Sequence, residues 1–115
     1  MKKKSVILAG ATGLVGNETL KMLIDHDQFD PITVLTRRPI PDHESIIQLQ
    51  VDFDRLNDHK ELIRGDIVIS ALGTTLKKAG SKEAFYNVDY TYCYEVARLA
   101  RENDAHHLML ISSIG

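Results

Sequence analysis

The sequence predicts an α/β domain on one doubly wound parallel sheet of about five strands, in the order 3-2-1-4-5. Short apolar runs rich in Val, Ile and Leu alternate with stretches of helical period. Ser5–Ala9 and Asp66–Leu72 are largely apolar without alternation, as strands covered on both faces are. Parallel neighbours need crossovers, and the intervening helical stretches supply them.

Ser5–Ala9 is the first strand, closed by Gly10. From Gly13 to about His26 the period is helical, with Gly16, Leu20 and Leu23 on one face. Pro31–Thr36 ("PITVLT") is the second strand, and Ile46–Val51 ("IIQLQV") the third, with partial alternation. Leu56–Ile63 is a weaker helical segment ended by Gly65, and Asp66–Leu72 the fourth strand, closed by Gly73. Beyond a polar loop, Ser81 is placed as an N-cap with Glu83 in the first turn, where a carboxylate suits the helix dipole. Phe85, Val88, Tyr92, Val96 and Leu99 then form one stripe at spacings of three and four. His107–Ile111 ("HLMLI") is the last strand and falls on an edge.

The totals narrow the function. A chain of 115 residues with 43% hydrophobic and 26% charged residues suits one globular domain. Fourteen Lys and Arg against sixteen Asp and Glu leave a net charge of −2, no footprint for nucleic acid. The single cysteine, Cys93, has no internal disulfide partner and reads as a small buried residue on a helix. Lys2-Lys3-Lys4 precedes an apolar run too short for a signal peptide, and no stretch reaches membrane-span length. The expectation is a cytoplasmic protein with no membrane partner.

Ligands of doubly wound sheets sit outside the carboxyl ends of the strands. Those ends carry "GATG", "TRR", "VDF", "ALGTT" and "SSIG". Gly10 and Gly13 allow a tight turn and close approach by a pyrophosphate, toward which the free N–H groups around Leu14 and Val15 would point. Gly16 lets the helix pack closely. At the second strand end an NAD site wants a carboxylate, whereas arginine accommodates the 2′-phosphate of NADP. This chain has Arg37-Arg38 there and no Asp or Glu before Asp42, so NADP is the expected cofactor, with NADPH preferred over NADH. Asp52 and Phe53 offer a carboxylate and an N–H to the adenine edge, Asp54 has a helix-start role, and Leu72-Gly73-Thr74 offers backbone to the ribose. His106 and His107 enter the last strand from its amino end, away from the crevice; no metal site is expected there.

"GATGLVG", "LTRRP", "VDF", "ALGTT" and "LISSIG", in this order, resemble the extended and atypical short-chain dehydrogenase/reductases, with their Rossmann-type NAD(P)-binding domain. The motifs look most like the Tat-interacting-protein-like NADPH-binding branch, in which a Leu-Gly-Thr-Thr loop leads to a Ser-Ser strand end. The resemblance implies that Thr12, Gly13, Leu14 and Val15 hold the pyrophosphate, Arg37 and Arg38 the 2′-phosphate, and Leu72 and Gly73 the ribose side. It also implies that Ser112 or, in preference, Ser113 is the catalytic serine. In that family a Tyr-x-x-x-Lys pair follows the serine. None of Tyr86, Tyr90, Tyr92 and Tyr94 has a lysine four residues on; Tyr90, Tyr94, Val96 and Arg98 stand there instead. The expectation is therefore the cofactor-binding N-terminal part of a reductase, inactive alone. The alternatives are a non-catalytic NADP(H)-sensing regulator with a protein partner, and a truncated product without activity. The apolar last strand leads one to expect a homodimer or another protein partner.

Overall fold

Val6, Ile7, Leu8 and Ala9 are all fully buried. Burial of this kind stabilises a fold by about 1.5–3 kcal/mol per large aliphatic side chain. They belong to β1 (Lys4–Ala9), the middle strand of the sheet. The computed structural model describes residues 3–11, 14–71 and 92–110. After β1 come α1 (Leu14–His26), β2 (Phe29–Thr36), β3 (Ile46–Gln50) and a 3₁₀ segment (Phe53–Leu62). Then follow β4 (Ile67–Ser70), α2 (Cys93–Glu102) and β5 (His107–Leu110). The five strands are parallel and ordered β3-β2-β1-β4-β5, as the sequence predicts.

Successive side chains of β1 go to opposite faces. Ile7 and Ala9 share one cluster with Phe53, Leu56 and Ile63 and with Val96, Leu99 and Ala100 of α2. Val6 and Leu8 cluster with Leu20 and Leu23 of α1 and with Ile32, Val34 and Ile69 of the sheet. The expected face of α1 is thus the buried one. Of the predicted second stripe, Val96 and Leu99 are fully buried and Tyr92 packs beside them. Phe85 and Val88, and the Cys93 side chain, lie outside what the structure describes.

Several boundaries differ from the sequence reading. β2 starts at Phe29, before Pro31. Its register against β1 slips by one residue between Phe29 and Ile32, where Pro31 has no N–H to give to the ladder. β3 ends at Gln50, although the Val51 N–H still donates to the Thr36 carbonyl at 2.8 Å. The 3₁₀ segment begins at Phe53, ahead of the expected Leu56, because the Asp52 carboxylate accepts the Asp54 N–H and starts the turn there. It is interrupted at Arg55 and His59, so it is a succession of tight turns.

Long-range side-chain bonds lock this segment to α2. The Asn103 amide donates to the Lys60 and Ile63 carbonyls at 2.7 and 2.8 Å. Arg98 donates to Asn57 as well as to Glu95 and Glu102 on its own helix. The 3₁₀ segment therefore holds its place beside the sheet despite its weak intrinsic helicity.

Candidate functional site

The first strand end turns sharply at Gly10, whose φ of 93° is a region that L side chains rarely adopt. α1 then returns over the turn so closely that a Cβ on Gly16 would collide with the Gly10 carbonyl oxygen and lie 2.7 Å from its carbon. Gly16 packs on the turn itself, a tighter contact than the helix-on-sheet packing expected of it. Leu14 and Val15 form the first turn of α1, whose leading N–H groups have no intrahelical acceptor. Ala71 comes alongside, its N–H donating to the Ala9 carbonyl at 2.8 Å. The β1 and β4 ends are therefore neighbours at one rim. Thr12, Gly13, Leu72, Gly73, Thr74, Ser112 and Ser113 lie outside the described residues.

At the next end outward, Thr36 is buried and its hydroxyl donates to the Arg38 carbonyl at 2.6 Å. Arg37 and Arg38 are exposed, and among the described residues neither enters an ion pair. Asp42, the first carboxylate after them, accepts a bond from the Gln48 amide at 2.8 Å and so stays with the edge strand.

At the third end Asp52 is the N-cap, accepting the Asp54 N–H at 2.9 Å, and Asp54 stands in the first turn, the helix-start position read for it. Asp54 also accepts the Tyr92 hydroxyl at 2.8 Å. The Phe53 ring is buried and stacks on Tyr92, with centroids 5.6 Å apart and planes at 27°. Burial, and then the hydrogen bond and charge of Asp54, hold the Tyr92 phenol above its ordinary range, while the Arg37 charge works against them. Tyr92 thus stays protonated as a donor at neutral pH. It joins the start of α2 to the 3₁₀ segment that follows β3.

The sequence reading overlooks this role of Tyr92, placing it only in the apolar stripe. The available signal was chemical: a tyrosine packed among apolar side chains needs a partner for its O–H. His106 and His107 are both exposed at the amino end of β5, where their N–H groups donate to the Asp66 carbonyl at 3.0 and 3.1 Å. They stand across the sheet from the crevice, as expected.

The described rim fits a dinucleotide in kind. A positive-φ glycine turn leaves room for a diphosphate close to backbone, a helix N-terminus begins beside it, and at the end of β2 stand two exposed guanidinium groups that enter no ion pair among the described residues.

The comparisons with known proteins agree with this geometry. Rat protein HTATIP2 is 34% identical over 120 residues, covering all of this chain and 49% of that protein. The mitochondrial protein FMP52 of Candida albicans is 35% identical over 118 residues, covering 96% of this chain and 51% of its own length. The chain therefore spans about half the length of these relatives. Among solved structures, uronate dehydrogenase from Agrobacterium tumefaciens superposes with a TM-score of 0.78 at 19% identity, over 98% of this chain and 42% of that one. The same fold has been solved for that dehydrogenase complexed with NAD. Residues 6–115, nearly the whole chain, match one family profile. The chain belongs to the NAD dependent epimerase/dehydratase family.

Proposed function

We propose that this chain is the NADP(H)-binding part of an oxidoreductase of the short-chain dehydrogenase/reductase type, selective for the phosphorylated cofactor. The observation that carries the reading is the exposed Arg37-Arg38 pair at the carboxyl end of β2. A carboxylate at this point would take the ribose hydroxyls of NAD; here the nearest one following, Asp42, is bound to Gln48. Guanidinium groups bind phosphate bidentately and stack on adenine. In the same reading the pyrophosphate lies at Gly10 and the first turn of α1, with Asp52 and Phe53 at the adenine edge.

Two further parts of the proposal concern what the chain does by itself. It binds cofactor without turnover, because no tyrosine in it has a lysine four residues on. It also self-associates through β5, whose Leu108 and Met109 are both 54% exposed.

Titration calorimetry with NADPH and NADH tests the cofactor assignment. A charge-assisted phosphate contact is worth roughly 1.5–3 kcal/mol, so NADPH should bind about ten- to a hundredfold more tightly. Arg37→Ala should remove most of that difference. Equal affinities in the unsubstituted protein, or a preference untouched by both Arg37→Ala and Arg38→Ala, would refute the reading.

A further inference from the structure

The loop that carries Arg37 and Arg38 is held by bonds to its main chain. Thr36 Oγ1 donates to the Arg38 carbonyl at 2.6 Å, and Gln50 Nε2 to the Arg37 carbonyl at 3.1 Å. Gln48 grips the loop further along. Its Oε1 accepts the Ile40 N–H at 2.9 Å, and its Nε2 donates to the Ile40 carbonyl and to Asp42 Oδ1, both at 2.8 Å.

The loop sequence makes this grip effective. Pro39 and Pro41 fix their own φ and press Arg38 and Ile40 toward extended backbone. Neither proline has an N–H, so the Ile40 N–H is the sole main-chain donor from residue 39 to residue 41, and Gln48 accepts it. Gln48 and Gln50 are two apart on β3 and therefore project to the same side, while Leu49 between them packs into the core. None of these bonds uses a guanidinium group. Loop order and free arginine charge thus coexist.

From this arrangement we propose that Gln48 and Gln50 are specificity-determining positioning residues. They pre-set the main chain of residues 37–42 so that Arg37 and Arg38 meet a 2′-phosphate without first ordering the loop. The inference rests on the NADP reading and extends it to residues that touch no ligand themselves. A loop already ordered loses less freedom on binding, so the effect appears in the affinity for the ligand that uses the loop. NADH, which lacks the 2′-phosphate, makes little demand on it.

The test uses Gln50→Met and Gln48→Met, which keep side-chain length and remove the amide. Thr36→Val, which keeps the buried shape and removes the hydroxyl, is a third, independent release of the loop. Affinities for NADPH and NADH are measured by calorimetry, with thermal unfolding followed on the same preparations. NADPH should weaken about three- to tenfold in each folded variant, with NADH changed less than twofold. A merely structural role would weaken both cofactors alike, and that result overturns the inference. So does an unchanged NADPH-to-NADH ratio in the folded variants while Arg37→Ala abolishes the preference; the NADP reading then survives alone. If the unsubstituted chain shows no preference for NADPH, the reading itself falls, and this inference with it.

Discussion

Ser5 and Asp66 show what a single pair contributes at the amino end of the sheet. The Ser5 N–H and hydroxyl both donate to Asp66 Oδ2 at 3.1 Å, and the Asp66 N–H returns a bond to Ser5 Oγ at 2.9 Å. Those two donors hold the carboxyl below its ordinary value of 3.8, with the His106 charge assisting. A depressed carboxyl stabilises the fold above its unfolded pKa, and the contribution is lost as pH falls through the folded value. Asp66→Asn should therefore lower the unfolding midpoint most near neutral pH, and the gap should close as the pH drops below about 4. Midpoints measured from pH 7 into the acid range decide this; a constant offset at every pH would contradict it. Neither this pair nor Tyr92–Asp54 was legible in the sequence. The partners are 61 and 38 positions apart, and only the strand order brings them together.

Elements were easier to read than contacts, for physical reasons. The Gly16, Leu20, Leu23 spacing gives the buried face of α1 because helical period fixes which side chains share a side. The start of the 3₁₀ segment was missed because two aspartates two residues apart can each cap a turn, and no pattern separates them. β5 was placed at the edge, and its exposure shows why that position has consequences. Leu108 and Met109 are neighbours on the strand and point to opposite faces, so both faces of β5 are open to solvent. An apolar edge with unpaired N–H and C=O groups is a template for another strand. Light scattering over a concentration series should show mass rising toward twice that of one chain. Met109→Lys should raise the concentration needed by about tenfold, roughly 1.4 kcal/mol. A monomer at every concentration would mean that the edge is tolerated.

For the molecule as a whole, the two clusters on opposite sides of β1 explain how much of the fold the sequence revealed. A strand buried on both sides must be apolar without alternation, and Val6–Ala9 is. Crossovers between the β-rich runs gave a parallel sheet, and 3-2-1-4-5 is the order that the doubly wound class carries. The candidate site was legible only where glycine or charge marks it, at Gly10, Gly16, Arg37 and Arg38. Gln48, Gln50 and Tyr92, which the structure bonds to the neighbouring loops, look like ordinary strand and helix residues until their partners are known. The absence of a Tyr-x-x-x-Lys pair bears on activity. Losing a general acid typically costs 10²–10⁴-fold in rate. NADPH oxidation assayed against aldehydes, ketones and quinones should therefore show no saturable turnover by the 115-residue chain. Saturable turnover would point to a different proton donor.

The middle position of β1 also bears on how the chain is made. Of these five strands β1 is made before the others, and it is one that needs a partner on each side. β2 can close one side soon after α1 emerges from the ribosome, but β4 is complete only at Ser70, roughly 34 residues after the end of β2. At ordinary rates of synthesis that interval lasts about two to seven seconds. Throughout it the apolar run Val6–Ala9 keeps an open edge on the growing chain. The same centrality that protects β1 in the finished sheet leaves it with an unpaired, aggregation-prone edge during its making.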